Sequence, residues 1–206
     1  MKTHRSLLAV FSALSLGLGA CAGTMQNKTP PAVYDFGQPI LSGVEDVQAE
    51  RLALEVRAAP WLDGPEIDYR LAYSDPLRRS QYVDSRWAAP PALLLAQQLR
   101  RQIGFASIDS VVAECVLRVE LQEFSQVFTA PRISQGVLQG QVSLIDAKRR
   151  LLAGHAVGIE RPARGPDAVS GVLALADASE ELGRQLAGWL DRLDREGALK
   201  TCGLTR

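Results

Sequence analysis

Apolar and polar residues alternate along several short stretches of the chain, and this alternation is the pattern of a half-buried β-strand. Residues 51–58, 67–71 and 115–124 show this period of two most clearly. Less regular alternation predicts further strands over residues 33–37, 81–87, 137–145 and 151–159. The last two segments flank a short polar turn, so they predict a β-hairpin.

Two other segments repeat apolar residues every three or four positions, as an amphipathic helix does. The first covers residues 92–103, and Gly104 after it is a common helix terminator. The second begins at Asp167, a plausible N-cap, and Gly197 follows its end. Its apolar stripe consists of Val169, Val172, Leu173, Ala176, Leu182, Leu186, Trp189, Leu190 and Leu193.

Strands joined by short turns outnumber the helices, and this proportion indicates an α+β fold. We predict a mainly antiparallel sheet with two helices packed on one face, because an apolar sheet face and two apolar helix stripes bury each other.

The N-terminus has the features of an export signal. Lys2 and Arg5 precede an uncharged apolar stretch over residues 6–18, which is too short to span a bilayer permanently. The next residues, Leu18-Gly19-Ala20-Cys21, resemble the lipobox of bacterial lipoproteins. This resemblance implies cleavage between Ala20 and Cys21 and attachment of acyl chains, such as palmitate, to Cys21. The alternative is an ordinary secretory signal that happens to contain a cysteine.

Cleavage would divide the chain into a signal peptide (1–20), a flexible linker (21–32) and one domain (33–206). The linker is rich in Gly, Thr, Asn and Pro and has little to bury. Loss of the signal removes two basic residues and leaves 21 Lys and Arg against 23 Asp and Glu. This balance gives no electrostatic reason to bind nucleic acid.

Two cysteines remain after Cys21, and two interpretations of them stay open. Cys115 and Cys202 could form a disulfide, since an exported protein is in an oxidising compartment. Cys115 also falls on the apolar side of a predicted strand, where a free cysteine packs as a small apolar residue.

Residues with the spacing of a known catalytic or metal site are missing from the sequence. His155 is the one histidine after the signal, it lies in a predicted strand, and no metal-ligand spacing surrounds it. We therefore predict no catalytic residues, no metal, no cofactor and no enzymatic activity. Aromatic residues concentrate around two turns instead, and Trp61, Tyr69, Arg70 and Trp87 are candidates for a partner-docking face. Core packing is the alternative for each of them.

The same region carries a family likeness. Three segments, in this order, resemble the ABC-type transport auxiliary lipoproteins, which include the paraquat-inducible protein C type: Tyr34-Asp35-Phe36-Gly37, Trp61-Leu62-Asp63-Gly64-Pro65-Glu66-Ile67-Asp68-Tyr69-Arg70 and Arg86-Trp87-Ala88-Ala89-Pro90. The likeness extends from about Val33 to Leu193. Asp68 departs from it, because an apolar residue is expected there, and so does Pro91.

The resemblance implies an accessory role in intermembrane lipid transport. The expected partners are a mammalian-cell-entry domain protein and the components of an ABC transporter, and self-association into a ring is also implied. Ala22 after the lipidated cysteine favours the periplasmic face of the outer membrane, with the inner membrane as the alternative. A different function would be activation of a peptidoglycan synthase or another role in envelope assembly.

Overall fold

A computed structural model of the protein describes residues 29–38, 52–105 and 113–203. The described part contains two α-helices, seven strands and two 3₁₀ helices (Pro60–Leu62 and Ala198–Cys202). The helices are α1 (Pro91–Ile103) and α2 (Ala168–Arg195), and the strands are β1 (Ala32–Tyr34), β2 (Leu52–Ala58), β3 (Glu66–Leu71), β4 (Ser80–Trp87), β5 (Cys115–Ala130), β6 (Ile133–Asp146) and β7 (Leu151–Pro162).

Strand β5 is the centre of the sheet. On one side it pairs antiparallel with β6 along nearly its whole length, and β6 pairs antiparallel with β7. On the other side β2 pairs parallel with the first half of β5, and β3 pairs parallel with the second half. Strand β4 then pairs antiparallel with β3, and β1 pairs parallel with β4. Most of the ladder is antiparallel, so the predicted fold class is confirmed.

The sheet has two ends, which we name after the hairpins that close them. At the β5–β6 end, residues 131–132 connect β5 to β6. Strand β3 ends here, because Leu71 pairs with Phe128 near the end of β5. Strand β4 begins here, because Ser80 pairs with Tyr69 near the end of β3. At the β6–β7 end, residues 147–150 form the predicted hairpin turn.

Both helices pack on the same face of the sheet and contact each other. Helix α2 lies close to β6: a Cβ added at Gly136 would meet the backbone of Ala174 and Leu175 at 2.8 Å. The side chain of Gln102 on α1 donates a hydrogen bond of 2.9 Å to the carbonyl of Glu180 on α2. The core consists mainly of leucines and valines from these helices and from β2, β5, β6 and β7.

The predicted helix ends agree with the structure. Gly104 adopts φ +84° and donates its N–H to the carbonyl of Arg100, which closes α1. The Asp167 side chain accepts the N–H of Ser170 and caps α2. Two members of the predicted stripe are placed wrongly, because Val169 and Leu173 point to solvent at the start of α2.

Cys115 and Cys202 form a disulfide, and both residues are buried. The bond connects the start of β5 to the 3₁₀ helix that follows α2 and thereby fastens the C-terminal segment to the sheet. Of the two interpretations left open by the sequence, the structure therefore supports the bridge.

The described residues from Pro31 onward cluster as one compact unit. No helix in the described part of the chain is long and apolar enough to cross a bilayer. Ala20 and Cys21, with the predicted cleavage and lipidation site, lie outside the described residues.

Candidate functional site

The three segments that carry the family likeness meet at one edge of the sheet. Tyr34 on β1 pairs with Trp87 on β4. The backbone N–H of Trp87 donates to the carbonyl of Pro65, and the backbone N–H of Ala88 donates to the carbonyl of Tyr34, both at 2.7 Å. Segments that are far apart in sequence are thus joined by backbone hydrogen bonds into one corner of the domain.

Trp87 lies inside that corner and is 1% exposed. Its ring packs edge-on against Phe36 with centroids 5.3 Å apart, and it contacts Phe124 at 5.7 Å. The prediction that Trp87 docks a partner is therefore wrong, because its side chain cannot reach another protein. Its role is core packing.

Trp61 behaves in the opposite way and is 61% exposed. It sits in the 3₁₀ helix between β2 and β3, beside the buried Leu62. The Ala59 N–H donates to the carbonyl of Leu121 on β5, and the Leu62 N–H donates to the carbonyl of Ala59. The backbone before this exposed indole is therefore held to β5 through Ala59, and the turn that carries the indole is closed by its own hydrogen bond.

Tyr69 is half-buried on the face of β3 that carries the helices. Its ring lies 4.8 Å from that of Tyr82 and 6.1 Å from that of Phe128. The Tyr82 hydroxyl donates to Gln126 Oε1 at 2.8 Å, and Gln126 in turn donates to the hydroxyl of Ser134. Burial raises the pKa of Tyr82 to about 12, with further contributions from Tyr69 and Asp167.

Arg70 projects from the opposite face of β3, since neighbouring residues of a strand alternate between faces. It pairs with Glu123 at 3.0 Å. Arg79 pairs with the same Glu123 at 3.1 Å and with Asp68 at 2.6 Å. A β-bulge between Leu121 and Glu123 turns Glu123 toward this network. Burial raises the pKa of Asp68, against the opposing effect of Arg79.

The four predicted docking residues therefore do not form one surface. Trp87 is in the core, Tyr69 and Arg70 are on opposite faces of β3, and Trp61 stands on the segment before it. The prediction grouped these residues because they are close in sequence. In the structure they lie apart, because neighbouring residues of a strand face opposite sides of the sheet. Trp61 is the member with the exposure that a docking residue needs.

A depression of about 190 Å³ lies at the β5–β6 end of the sheet. It is smaller than the roughly 300–1,000 Å³ of pockets that hold drug-sized ligands. No sequence motif predicted this depression, because its walls come from β3, β4 and the connection between them. They are Tyr69, Leu71, Ser74, Asp75, Arg78 and Ser80.

His155 lies on β7 under α2, with its ring centroid 4.8 Å from that of Trp189. Burial lowers the pKa of His155, and the charge of Arg192 lowers it further. Over residues 29–38, 52–105 and 113–203, no three side chains of the types that ligate metals come together.

Comparison with known proteins finds similarity in fold. No family model matches the chain, and no curated protein matches it. The crystal structure of protein XCC0632 from Xanthomonas campestris, of family model DUF330, superimposes with a TM-score of 0.60 at 18% identity and covers 82% of this chain and 96% of its own. A second crystal structure, of an uncharacterized protein, gives a TM-score of 0.62 at 15% identity over 79% of this chain and 99% of its own. At these identities the likeness shows a shared fold alone.

Proposed function

We propose that this protein is a lipid-anchored accessory component of an ABC-type intermembrane lipid transport system, and that it acts as a periplasmic docking component. The observation that carries the proposal is the ordered set of three motifs resembling auxiliary lipoproteins, behind a lipobox at Leu18-Gly19-Ala20-Cys21. In the folded domain these motifs are joined by the Trp87–Pro65 and Ala88–Tyr34 hydrogen bonds.

The depression beside Tyr69 does not by itself support a role as a lipid carrier. A carrier must shield acyl chains from water, since each exposed CH₂ costs about 0.8 kcal/mol. The depression of about 190 Å³ beside Tyr69 is too small for that task. The protein would instead hold the rest of the system at the membrane and leave the shielding to its partners.

Trp61 is the residue we assign to partner contact. Tryptophan is over-represented among the residues that dominate binding energy at interfaces. Trp61 combines its exposure with a backbone fixed to β5 through Ala59.

The proposal is tested by purifying the full-length protein from native membranes with a C-terminal tag and identifying its partners by mass spectrometry. We expect a mammalian-cell-entry domain protein together with an ABC permease. A Cys21→Ala variant, which cannot be lipidated, should lose them because it leaves the membrane. Capture of a peptidoglycan synthase, or of no transport component, would contradict the proposal.

A second comparison tests the assignment of Trp61. Trp61→Ala should reduce capture of the transport partner at unchanged thermal stability. Leu93→Ala is the matched control, since Leu93 is 62% exposed, nearly the same as Trp61, but lies on α1. Equal capture by both variants would remove Trp61 from the interface and leave the wider proposal in place.

A further inference from the structure

The β5–β6 end of the sheet collects exposed apolar side chains from three separate parts of the chain. Five of the ten large apolar side chains that are exposed in the described residues lie there. They come from the β3–β4 connection, from the start of β6 and from the first turns of α2. They are Tyr73, Leu77, Ile133, Val169 and Leu173.

Contacts inside the domain bring these three parts to the same end. Leu71, at the start of the β3–β4 connection, pairs with Phe128 near the end of β5. The Ala163 N–H donates to the carbonyl of Ser134 on β6, just before α2 begins. Gln126 Nε2 also lies 3.5 Å from the carbonyl of Gly165. The start of α2 is therefore held over the β5–β6 turn.

Exposed arginines stand among these apolar residues. Arg78 follows Leu77, Arg132 precedes Ile133, and Arg164 lies in the connection before α2. Within the described part of the chain, none of the three side chains forms an ion pair. The acidic residues at this end are engaged in local hydrogen bonds: Asp75 accepts the N–H of Leu77, and Asp167 accepts the N–H of Ser170.

The direction of β1 shows from which side the chain enters the domain. Strand β1 runs parallel to β4, with Ala32 beside Ser85. The N-terminal end of β1, at Ala32, therefore points along β4 toward Ser80, which is at the β5–β6 end. Cys21 stands eleven residues before Ala32, a distance of at most roughly 36 Å in an extended chain.

We propose that the β5–β6 end is a membrane-contact surface, which rests against the anionic bilayer that holds the acyl chains of Cys21. The apolar side chains enter the boundary between headgroups and acyl chains, and the arginines bind lipid phosphates. Apolar residues flanked by arginines are typical of surfaces that lie on such bilayers. This inference rests on the lipidation of Cys21, which is part of the proposed function.

The β6–β7 end offers a matched control, because it has similar chemistry at the opposite end of the sheet. Leu151 is 65% exposed there, against 64% for Ile133, and Lys148 and Arg149 lie next to it in the turn. Composition alone would let either end touch a bilayer. The entry direction of the chain is what selects the β5–β6 end.

The test uses the full-length lipidated protein in vesicles of phosphatidylethanolamine and phosphatidylglycerol that carry bromine on their acyl chains. Tryptophan is introduced as Ile133→Trp in one variant and as Leu151→Trp in the other. The emission of the wild-type protein is subtracted from both. We expect the bromolipids to remove most of the added emission of the Ile133→Trp variant and to leave that of the Leu151→Trp variant. Arg132→Gln should weaken this quenching, whereas Lys148→Gln should not.

Equal quenching of the two variants, or stronger quenching of the Leu151→Trp variant, would overturn the proposal. Quenching by iodide in the aqueous phase tests whether a protein, instead of lipid, covers the added tryptophan. An added tryptophan at position 133 that is protected from iodide but not quenched by bromolipid would be covered by a second copy or another protein, and that result also overturns the proposal. Vesicle flotation reports lipidation separately, and these vesicles contain no transport partner. Failure of the membrane contact and failure of partner capture are therefore distinguishable.

Discussion

Asp68 Oδ2 accepts a hydrogen bond of 2.6 Å from Arg79 Nη1, although the Asp68 side chain is only 4% exposed. The family resemblance leads one to expect an apolar residue at this position of β3. A buried carboxylate is stable there because the guanidinium of Arg79 compensates its charge, and Arg70 supplies a second cation to Glu123, which pairs with the same Arg79. The departure from the expected pattern is thus explained by a second residue eleven positions away.

Removal of the shared cation should destabilise the domain strongly. Arg79→Met leaves Asp68 and Glu123 as neighbouring carboxylates without their common partner, and breaking a buried pair costs about 3 kcal/mol or more. Arg70→Met should cost less, because Arg70 forms an ion pair with Glu123 but not with the buried Asp68, and its other hydrogen bond is to the carbonyl of Leu77. Urea unfolding of the two variants measures the order. A larger loss for Arg70→Met would show that the network is assigned incorrectly.

The disulfide should contribute a large part of the stability. Cys115 and Cys202 are 87 residues apart, and closure of a loop of this length restricts the unfolded chain by about 4–5 kcal/mol on the entropy model. A double substitution of both cysteines by serine should lower the midpoint of urea unfolding in oxidising buffer. Reductant should then have no further effect on the variant, while it should destabilise the wild-type protein. Equal midpoints for the two oxidised proteins would contradict this account.

Tyr82 should give the domain a sensitivity to alkaline pH. Because the pKa of Tyr82 rises to about 12 in the fold, the folded protein holds this proton more tightly than the unfolded chain does. The contribution of the protonated Tyr82 hydroxyl to stability is present below pH 10 and is lost between about pH 10 and 12. Tyr82→Phe should cost about 1 kcal/mol at neutral pH, because Gln126 loses a hydrogen-bond donor, and should unfold with a weaker dependence on alkaline pH. Tyr73→Phe, at an exposed tyrosine, should leave the stability at neutral pH unchanged.

His155 should give a separate sensitivity to mild acid. Its pKa in the folded protein is below the ordinary 6.5, so the unfolded chain binds the proton more readily. Stability should therefore fall as the pH decreases below 6.5 toward the lower folded pKa. His155→Gln should make the unfolding midpoint less dependent on pH in this range. An unchanged slope would show that His155 is not the group responsible.

The strands that keep a strict alternation could be predicted from sequence, and those interrupted by an irregularity could not. Leu117, Val119 and Leu121 face the core at odd positions of β5, but after the bulge the core positions are Phe124 and Phe128. The bulge therefore inverts the phase of the pattern. For this reason the sequence indicated a strand that ends at residue 124, six residues before β5 ends.

The candidate site was harder to predict than the fold. Sequence proximity suggested one docking face for Trp61, Tyr69, Arg70 and Trp87, but exposure depends on which face of a strand a residue occupies and on what covers that face. The sequence could not show that Phe36 and Phe124 enclose Trp87. Nor could it show the parallel neighbours of β5, because pairing partners leave no local pattern in a strand.

The two parallel neighbours of β5 also determine when the sheet can assemble. Leu52 pairs with Cys115, and Asp68 pairs with Ser125, so each pairing closes a loop of about sixty residues. Contacts this distant in sequence form slowly, because the entropy of loop closure is lost before the pairing stabilises anything. Strands β2 and β3 therefore cannot pair with β5 until the second half of the chain is present. A chain that has to cross a membrane before it folds, as proposed here, gains from this delay.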